Sequence, residues 1–401
     1  MWSKSQLNRI RGIVLLTHLA VKAPARRNPR GENLLMGTQD MTEREIRVSR
    51  ERKVTLRDVA ERAGVSRTTA SYILNGLSGQ FGISPDTEKR VLEVVDALGY
   101  RPNRNARSLR TKRTTTIGVI TDYVASGMFS SELLAGANMA ARSADHLLVI
   151  GESEGDPGAR DLLIDEMIDR QVDGIIYATR TALRTEFPAR LTGTRAVMLN
   201  CYDPDRPVAS VLPDDRTGGR SAAGILLAAG ICTGVYIVGE TPDNEGVAGR
   251  RRLAGIQERF AEEGHAIAGT IECLWEPGRS YDAVLDWLSH GNVPKGLICM
   301  NDRAAVGAYQ ALRDRGLAIP DDVSVVSFDG SAVASWLRPQ TVSIILPLRT
   351  MGALAVELLL GGPDHSGSGP DGDPDHGGVH LVPMPVLAGD SVRTAKQGHD
   401  A

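Results

Sequence analysis

The sequence lacks any hydrophobic segment long enough to cross a membrane. No run of eighteen apolar residues occurs in the 401-residue chain, whereas a membrane-spanning helix needs about 20, so we expect no membrane contact. Cysteine is scarce, and the four cysteines lack the close spacing typical of metal sites or disulfide frameworks: Cys201, Cys232, Cys273 and Cys299. We therefore expect reduced core thiols in a cytoplasmic protein.

Short catalytic motifs are also missing. The chain has no G-x-x-x-x-G-K-[ST] phosphate loop, no G-x-S-x-G elbow and no H-E-x-x-H zinc motif. We predict that the protein is not an enzyme and uses no cofactor or metal. A heptad helix of the kind that joins subunits into tetramers is not visible after Leu360.

Charge is divided unevenly along the chain. Residues 1–113 carry 23 Lys and Arg against 11 Asp and Glu, a balance of +12, which leaves −15 for residues 114–401 out of a total of −3. This division between a basic N-terminal part and an acidic remainder indicates that only the N-terminal part binds a polyanion. Charge alone fits RNA, DNA or a lipid surface equally well.

The first 52 residues show no periodic pattern. A short apolar stretch at Gly12–Leu16 follows three basic residues and imitates a secretion signal, but Thr17 and His18 interrupt it. We interpret residues 1–52 as a disordered extension, or as sequence translated upstream of a start at Met36 or Met41.

Residues 53–101 predict a small three-helix domain. Thr55 is a candidate cap for a first helix, which Gly64 ends, and Ser66 is the cap of a second helix whose outward side is polar. Ser84 followed by Pro85 predicts the start of a third helix, whose face of Val91, Leu92, Val95 and Leu98 would cover the first two. Two helices across a Gly turn are typical of a helix-turn-helix DNA-binding domain. A three-helix domain without a DNA role remains an alternative on this pattern alone.

A longer signature resembles the lactose-repressor (LacI) family. It reads TLRDVAERAGVSRTTAS from Thr55 to Ser71 and continues in Gly99–Asn103 and Ala106–Arg110. The resemblance covers residues 53 to about 360 and implies a homodimer. It also implies a hinge at 102–113, which forms a short helix when the dimer binds its operator. One departure is the longer connection at 76–82, before the third helix.

The same resemblance implies roles in binding a double-stranded DNA operator. Base reading in the major groove is implied for Arg67, Thr68 and Tyr72. Contacts to the DNA backbone are implied for Arg57, Thr69, Ser71, Asn75 and Arg107. Leu109 matches the leucine that wedges into the minor groove and kinks the duplex.

The segment 114–360 alternates β-branched runs with helical stretches, which predicts an α/β effector domain. Strands are expected near residues 116–120, 147–150, 174–177 and 196–199, and a second series near 234–238, 296–300 and 323–327. Two series predict two doubly wound parallel-sheet lobes, and the resemblance makes them a periplasmic-binding-protein-like effector and dimerisation domain. We expect lobe 1 at about 114–211 and 320–350, and lobe 2 at about 212–319 and 351–392.

In parallel sheets, ligands bind beyond the carboxyl ends of the strands. The candidate effector-binding residues follow predicted strands or match effector-contacting positions of the family: Phe129, Arg252, Trp275, Asn301, Asp302 and Asp329. Their carboxylates, amide, guanidinium and aromatic rings suit a sugar or sugar derivative. Each has a plainer alternative: Asp302 as a helix cap, Trp275 as core, Arg252 in an ion pair between the lobes. Many relatives in the family carry an Asp-Asn pair where Pro213 and Asp214 fall, and because of this departure the resemblance implies no ligand contact from that loop.

The Gly- and Pro-rich segment 361–379 predicts a flexible insertion, since its histidines have no helical spacing that would hold a metal. Residues 380–392 resemble the family's final strand. These predictions together favour a transcription repressor that a small molecule controls, either by releasing it from DNA or by helping it bind. The alternative is a sugar-binding transport protein with no DNA function.

Overall fold

The computed structural model describes residues 54–101, 113–124, 131–239, 247–361 and 378–394. The chain divides into two compact units, Met1–Pro102 and Asn103–Ala401. The predicted extension at 1–52, the hinge at 102–113 apart from its last residue, and nearly all of the insertion at 361–379 lie outside the described residues.

Three helices follow one another in the described part of the first unit. They are α1 (Leu56–Ala63), α2 (Arg67–Leu74) and α3 (Pro85–Leu98). Each begins at a predicted cap, where a side-chain hydroxyl accepts a backbone N–H of the first turn: Thr55, Ser66 and Ser84. Gly64 ends α1 with a φ of 66°, a left-handed conformation that glycine adopts without steric cost. The three-helix prediction is therefore confirmed.

The small core of this unit lies between the three helices. Its buried members are Val59, Ala60, Ala63, Ala70, Ile73 and Val91. Arg90 adds a tie from α3, because its Nε donates to the Ala63 carbonyl, 3.0 Å away, at the end of α1. The expected inward face of α3 was wrong at Leu92, which is 42% exposed. One residue beyond the buried Val91, Leu92 lies about 100° further around the helix and so faces away.

The first of two sheets in the second unit has the strand order β11-β5-β4-β3-β1-β2, with every pair parallel. Its strands are β1 (Thr116–Thr121), β2 (Leu147–Glu152), β3 (Gly174–Arg184), β4 (Ala196–Tyr202), β5 (Ser210–Pro213) and β11 (Val379–Val382). The helices of this lobe are α4 (Ser131–Ser143), α5 (Pro157–Asp169) and α11 (Leu348–Leu359).

The second sheet has the order β12-β10-β9-β8-β6-β7, and its pairs are parallel except β10 with β12. Its strands are β6 (Val235–Val238), β7 (Gly269–Ile271), β8 (Gly296–Cys299), β9 (Ser324–Asp329), β10 (Val342–Ile345) and β12 (Val386–Leu387). Its helices are α6 (Asp215–Ala228), α7 (Val247–Glu262), α8 (Pro277–Ser289), α9 (Asp302–Asp314) and α10 (Ala332–Trp336).

In each sheet the first strand in chain order lies inside the sheet, the second strand lies on one side of it, and the later strands follow outward on the other side, which is the doubly wound pattern. The predicted fold class is thus confirmed. Close helix packing beside the second sheet depends on Gly219 of α6, where a Cβ atom would lie 2.1 Å from the carbonyl oxygen of Arg252 on α7. This contact brings the backbone of α7 against α6 and fixes where the Arg252 side chain starts.

The predicted division into lobes was wrong in its later part. Residues 324–329 and 342–345, expected in lobe 1, belong to the second sheet because β9 pairs with β8 and with β10. Helix α11, expected in lobe 2, instead buries Met351, Ala355 and Val356 in the core of the first lobe.

The predicted final strand at 380–392 is two short strands, one in each sheet. β11 pairs with β5, and β12 pairs with β10. Pro383 and Pro385 stand between them, and proline has no N–H to donate to a ladder. In the described part of the chain the backbone therefore passes between the lobes at 213–215, 345–348 and 382–386.

The cysteines are free thiols, as predicted, although Cys232 is only half-buried. Burial raises the pKa of Cys201 to about 12 and that of Cys273 to about 11, so neither is a reactive thiolate near neutral pH. Among the helices that the structure describes, none combines the length and the apolar character needed to cross a membrane.

Candidate functional site

Helix α2 presents its first turn to solvent. Ser66 accepts the backbone N–H of Thr69 at 3.0 Å, and its hydroxyl lies 2.8 Å from the Thr69 hydroxyl. This cap fixes the start of α2 and leaves the side chains of Arg67 and Thr68 exposed. Two of the three predicted base readers thus stand on an open surface at the N-terminal end of the helix, where recognition helices contact base edges.

The third predicted base reader, Tyr72, is held by a neighbour. Its ring stacks on that of Phe81, with the planes parallel and the centroids 3.8 Å apart. Tyr72 is half-buried, whereas Phe81 is 48% exposed. Phe81 belongs to the longer connection at 76–82 that the sequence marks as a departure, and sequence reasoning assigned it no role.

The predicted DNA-backbone contacts are partly engaged within the protein. Arg57 Nε lies 2.7 Å from the Glu61 carboxylate one turn along α1, and both side chains are exposed, so solvent weakens the pair. The Asn75 amide donates to the Ser71 carbonyl at 2.6 Å and so closes the end of α2. Arg107 and the predicted wedge Leu109 lie outside the described residues.

In the second unit, Arg252 is the centre of a buried polar cluster. Its side chain is 3% exposed, and its Nε lies 2.8 Å from Asp215, which is equally buried. Another guanidinium nitrogen donates to the Met300 carbonyl at 2.6 Å. The ring of Phe328 lies 4.5 Å from the guanidinium carbon and that of Trp275 lies 5.6 Å from it. Arg252 is therefore fixed by protein groups, and its ion pair lies within the second lobe rather than between lobes.

Asp329 is the carboxylate of this cluster that remains partly open. Its side chain is 24% exposed, and its Oδ1 lies 3.8 Å from Arg252. Burial raises the pKa of Asp329 to about 6, although Arg252 opposes the shift. The backbone has a φ of 98°, a conformation that residues other than glycine adopt rarely and that recurs at ligand sites.

Asn301 and Trp275 are brought to the same place. The Asn301 Oδ1 accepts the Ala304 N–H at 2.7 Å, which makes Asn301 the cap of α9. Its amide nitrogen donates to the Trp275 carbonyl at 3.3 Å. The half-buried Trp275 donates its indole N–H to the Gly239 carbonyl. The structure thus brings together four of the six predicted effector residues: Arg252, Trp275, Asn301 and Asp329.

The prediction that Asp302 contacts the effector disagrees with its surroundings. Asp302 is completely buried. Its Oδ1 accepts the hydroxyls of Ser327 at 2.5 Å and Ser343 at 2.7 Å, and its Oδ2 accepts the Ser331 N–H and hydroxyl, both at 2.7 Å. These four donors occupy the carboxylate, which joins α9 to β9, β10 and the start of α10. Asp302 is not the helix cap either, because Asn301 fills that place.

One predicted effector residue is not described by the structure, and one carboxylate of the cluster was not predicted. Phe129 lies outside the described residues. Asp215, which sequence reasoning did not single out, is the closest carboxylate partner of Arg252. Its neighbour Asp214 caps α6 by accepting the Thr217 N–H at 3.1 Å, so this loop is held by helix capping. The sequence signal was an Asp at the first position of a helix, which alone indicates only capping or a dipole interaction.

Comparison with known proteins agrees with both units. A family model described as bacterial regulatory proteins, lacI family, matches residues 55–103, and one described as a periplasmic binding protein-like domain matches residues 223–392. The HTH-type transcriptional regulator RegA of Clostridium saccharobutylicum is 31% identical over 310 residues, covering 76% of this chain and 91% of that protein. Catabolite control protein A of Staphylococcus aureus is 29% identical over 314 residues, with the same coverage.

Solved structures agree on the fold. The Lac repressor dimer bound to operator and the anti-inducer ONPF has a TM-score of 0.65 at 24% identity and covers 84% of this chain and 98% of that chain. The complex of the transcriptional regulator CelR with cellobiose has a TM-score of 0.55 at 22% identity, covering 84% of this chain and 99% of that chain.

The helix-turn-helix head, the two-lobed body and these relatives define a DNA-binding transcription regulator. The chain belongs to the lacI family of bacterial regulatory proteins. The relative RegA is by name an HTH-type transcriptional regulator, which agrees with the expectation that this chain is not an enzyme. The alternative of a transport-type binding protein without DNA function is set aside, because the DNA-binding family model matches the first unit.

Proposed function

We propose that the protein is a dimeric, cytoplasmic transcription repressor that binds a palindromic operator and is controlled by a sugar-like effector. The observation that carries the DNA half is the exposure of Arg67 and Thr68 on the first turn of the capped helix α2. Arg67 suits a guanine, because a guanidinium can donate to both O6 and N7. The balance of +12 over residues 1–113 supplies attraction to phosphates.

The effector half is supported by the cluster around Arg252. Asp329 offers a partly exposed carboxylate to ligand hydroxyls, and Trp275 offers an aromatic surface for a sugar ring. Because Arg252 is held by Asp215 and by the Met300 carbonyl, it keeps Asp329 and Trp275 in place and presents a ready-made site. The relative CelR was solved with cellobiose bound, which supports a sugar as the class of ligand.

Dimerisation is supported by apolar residues on the first lobe. Helix α4 exposes Met139, and the neighbouring edge strand β2 exposes Leu147 and Ile150. A second copy of the chain would cover these residues and shield the open edge of β2. The Lac repressor structure with the same fold is a dimer.

Effector and operator would be linked through the two-lobed body. A ligand that binds one lobe arrangement more tightly shifts the population toward it, and the hinge containing Arg107 and Leu109 would transmit that preference to operator binding. A coupling free energy of about 1–3 kcal/mol corresponds to an operator affinity change of about 5- to 150-fold.

The decisive experiment is selection of bound duplexes from a random DNA pool by the full chain at two salt concentrations. We expect an inverted repeat with a kinkable central step, bound with a steep salt dependence. Arg67→Ala should then relax the preference at one position of each half-site. Enrichment of no sequence at either salt would refute specific operator binding.

A further inference from the structure

The connection between α2 and α3 is folded, and it directly follows α2, the helix that we propose reads DNA. The Leu77 N–H donates to the Tyr72 carbonyl at 2.9 Å, and the Phe81 N–H donates to the Leu77 carbonyl at 3.2 Å. Ser78 is buried, and the Ile83 N–H donates to its carbonyl at 2.9 Å. These hydrogen bonds fix the backbone of Phe81 relative to the end of α2.

Phe81 uses this position to cover one face of the Tyr72 ring. The two rings are parallel at a centroid distance of 3.8 Å. Phe81 is not a member of the hydrophobic core of the three-helix unit, and it remains 48% exposed. Its packing role is therefore local, and the side chain that it restrains is Tyr72.

Tyr72 lies one turn along α2 from Thr68, so the two side chains occupy the same face of the helix. Thr68 is exposed on that face next to Arg67. The stacked pair thus continues the surface that begins with the two exposed base readers. A tyrosine that is free to change rotamer contributes little discrimination, because each hydrogen bond to a base must first offset the loss of side-chain entropy.

We propose that Phe81 is a specificity-determining positioning residue for DNA reading. By stacking on Tyr72 it holds the phenol in one orientation toward the major groove, so that Tyr72 discriminates one base pair in each half-site. This inference rests on the proposed function, since it assumes that α2 reads an operator. It assigns a role in base selectivity to the longer connection at 76–82.

The test uses the full-length protein and the operator selected by the wild type. Affinity is measured for that operator and for every single base-pair substitution in one half-site. Phe81→Ala and Phe81→Leu remove the stacked ring, whereas Phe81→Tyr keeps it. Leu92→Ala is the matched control, because Leu92 is a similarly exposed apolar residue of the same unit, at 42%, outside the stacked pair.

We expect Phe81→Ala and Phe81→Leu to reduce discrimination at one position of the half-site by about 5- to 10-fold, as loss of an aromatic pair and its ordering effect would do. Preference elsewhere and the salt dependence should remain, because no phosphate contact is lost. Phe81→Tyr and Leu92→Ala should behave like the wild type. Tyr72→Ala should flatten the same position, and adding Phe81→Ala to it should change little, since the two residues act together.

Two results would overturn the inference: an unchanged base preference in both Phe81→Ala and Phe81→Leu, or a uniform loss of affinity for all duplexes. Melting curves followed by circular dichroism identify any variant that is unfolded, and Phe81→Leu retains apolar bulk at the site. Failure of the wild type to select any sequence would instead refute the proposed function itself, so the two failures are distinguishable.

Discussion

Replacement of Asp302 by alanine should destabilise the second lobe strongly, because this carboxylate joins three elements around α9. Its two oxygens accept four hydrogen bonds from Ser327, Ser331 and Ser343. Alanine would leave the Ser331 N–H without its acceptor and would open a small cavity. Burial raises the pKa of Asp302, against the lowering effect of these serines, so part of the gain from the bonds is already offset by desolvation.

The expected change in the free energy of unfolding follows from these opposing contributions. A hydrogen bond to a charged group is worth about 1.5–3 kcal/mol, and removing a buried charge recovers several kcal/mol of desolvation. For Asp302→Ala we expect a net loss of about 3–5 kcal/mol in the free energy of unfolding, in the range for a broken buried network. Asp302→Asn should lose less, about 1–2 kcal/mol, because its oxygen can face Ser331 while its amide donates to the serine hydroxyls, which can rotate to accept.

Urea unfolding followed by tryptophan fluorescence measures this loss, since Trp275, Trp287 and Trp336 lie in the second lobe. Asp282→Ala is the control, because it removes an exposed carboxylate from α8. If Asp302→Ala unfolds within about 0.5 kcal/mol of the control, the ordinary range of surface substitutions, then Asp302 does not hold the lobe together.

Three further predictions concern the same lobe. Asp215→Ala should lower the free energy of unfolding in urea by about 3–5 kcal/mol, because it leaves Arg252 buried without its closest carboxylate. A loss below about 1 kcal/mol would show that the Met300 carbonyl and Asp329 are enough to hold the buried Arg252. Asp329→Asn should become more stable relative to the wild type as the pH rises from about 4 to about 7, because the folded protein holds a proton on Asp329 up to a pKa of about 6 and the unfolded chain does not. A constant difference in the free energy of unfolding between the two proteins across that pH range would contradict this prediction. Gly219→Ala should lower the melting temperature, since its Cβ would lie 2.1 Å from a carbonyl oxygen. The matched control Gly224→Ala on the same helix, with its nearest neighbour at 3.9 Å, should raise or preserve the melting temperature. Equal melting temperatures of the two variants would argue against the close approach of α6 and α7.

The small first unit could be predicted closely from sequence because its signals are local. Thr55, Ser66 and Ser84 each cap a helix that begins at the next residue. The exposure of Arg67 and Thr68 follows from their place on a helix whose other side is apolar. The stacking of Phe81 on Tyr72 was not predictable, because it depends on how the intervening turn folds.

The arrangement of the effector site could not be predicted from local sequence patterns. Asn301 and Asp302 are adjacent, and the sequence cannot tell which of them caps α9; the cap falls on Asn301, which leaves Asp302 directed into the serine cluster. The pairing of Asp215 with Arg252 joins residues 37 positions apart. The division into lobes failed for the same reason, since α11 has the same apolar character whichever sheet it covers.

The repeated passage of the backbone between the lobes has a consequence for biosynthesis. Each sheet receives its last edge strand only when β11 and β12, at residues 379–387, have been made. Until then β5 and β10 each keep an open edge, and exposed strand edges pair readily with other chains. Neither sheet can therefore be completed on the ribosome before residue 379 has been made, and a message that stops short of that residue yields two unfinished sheets.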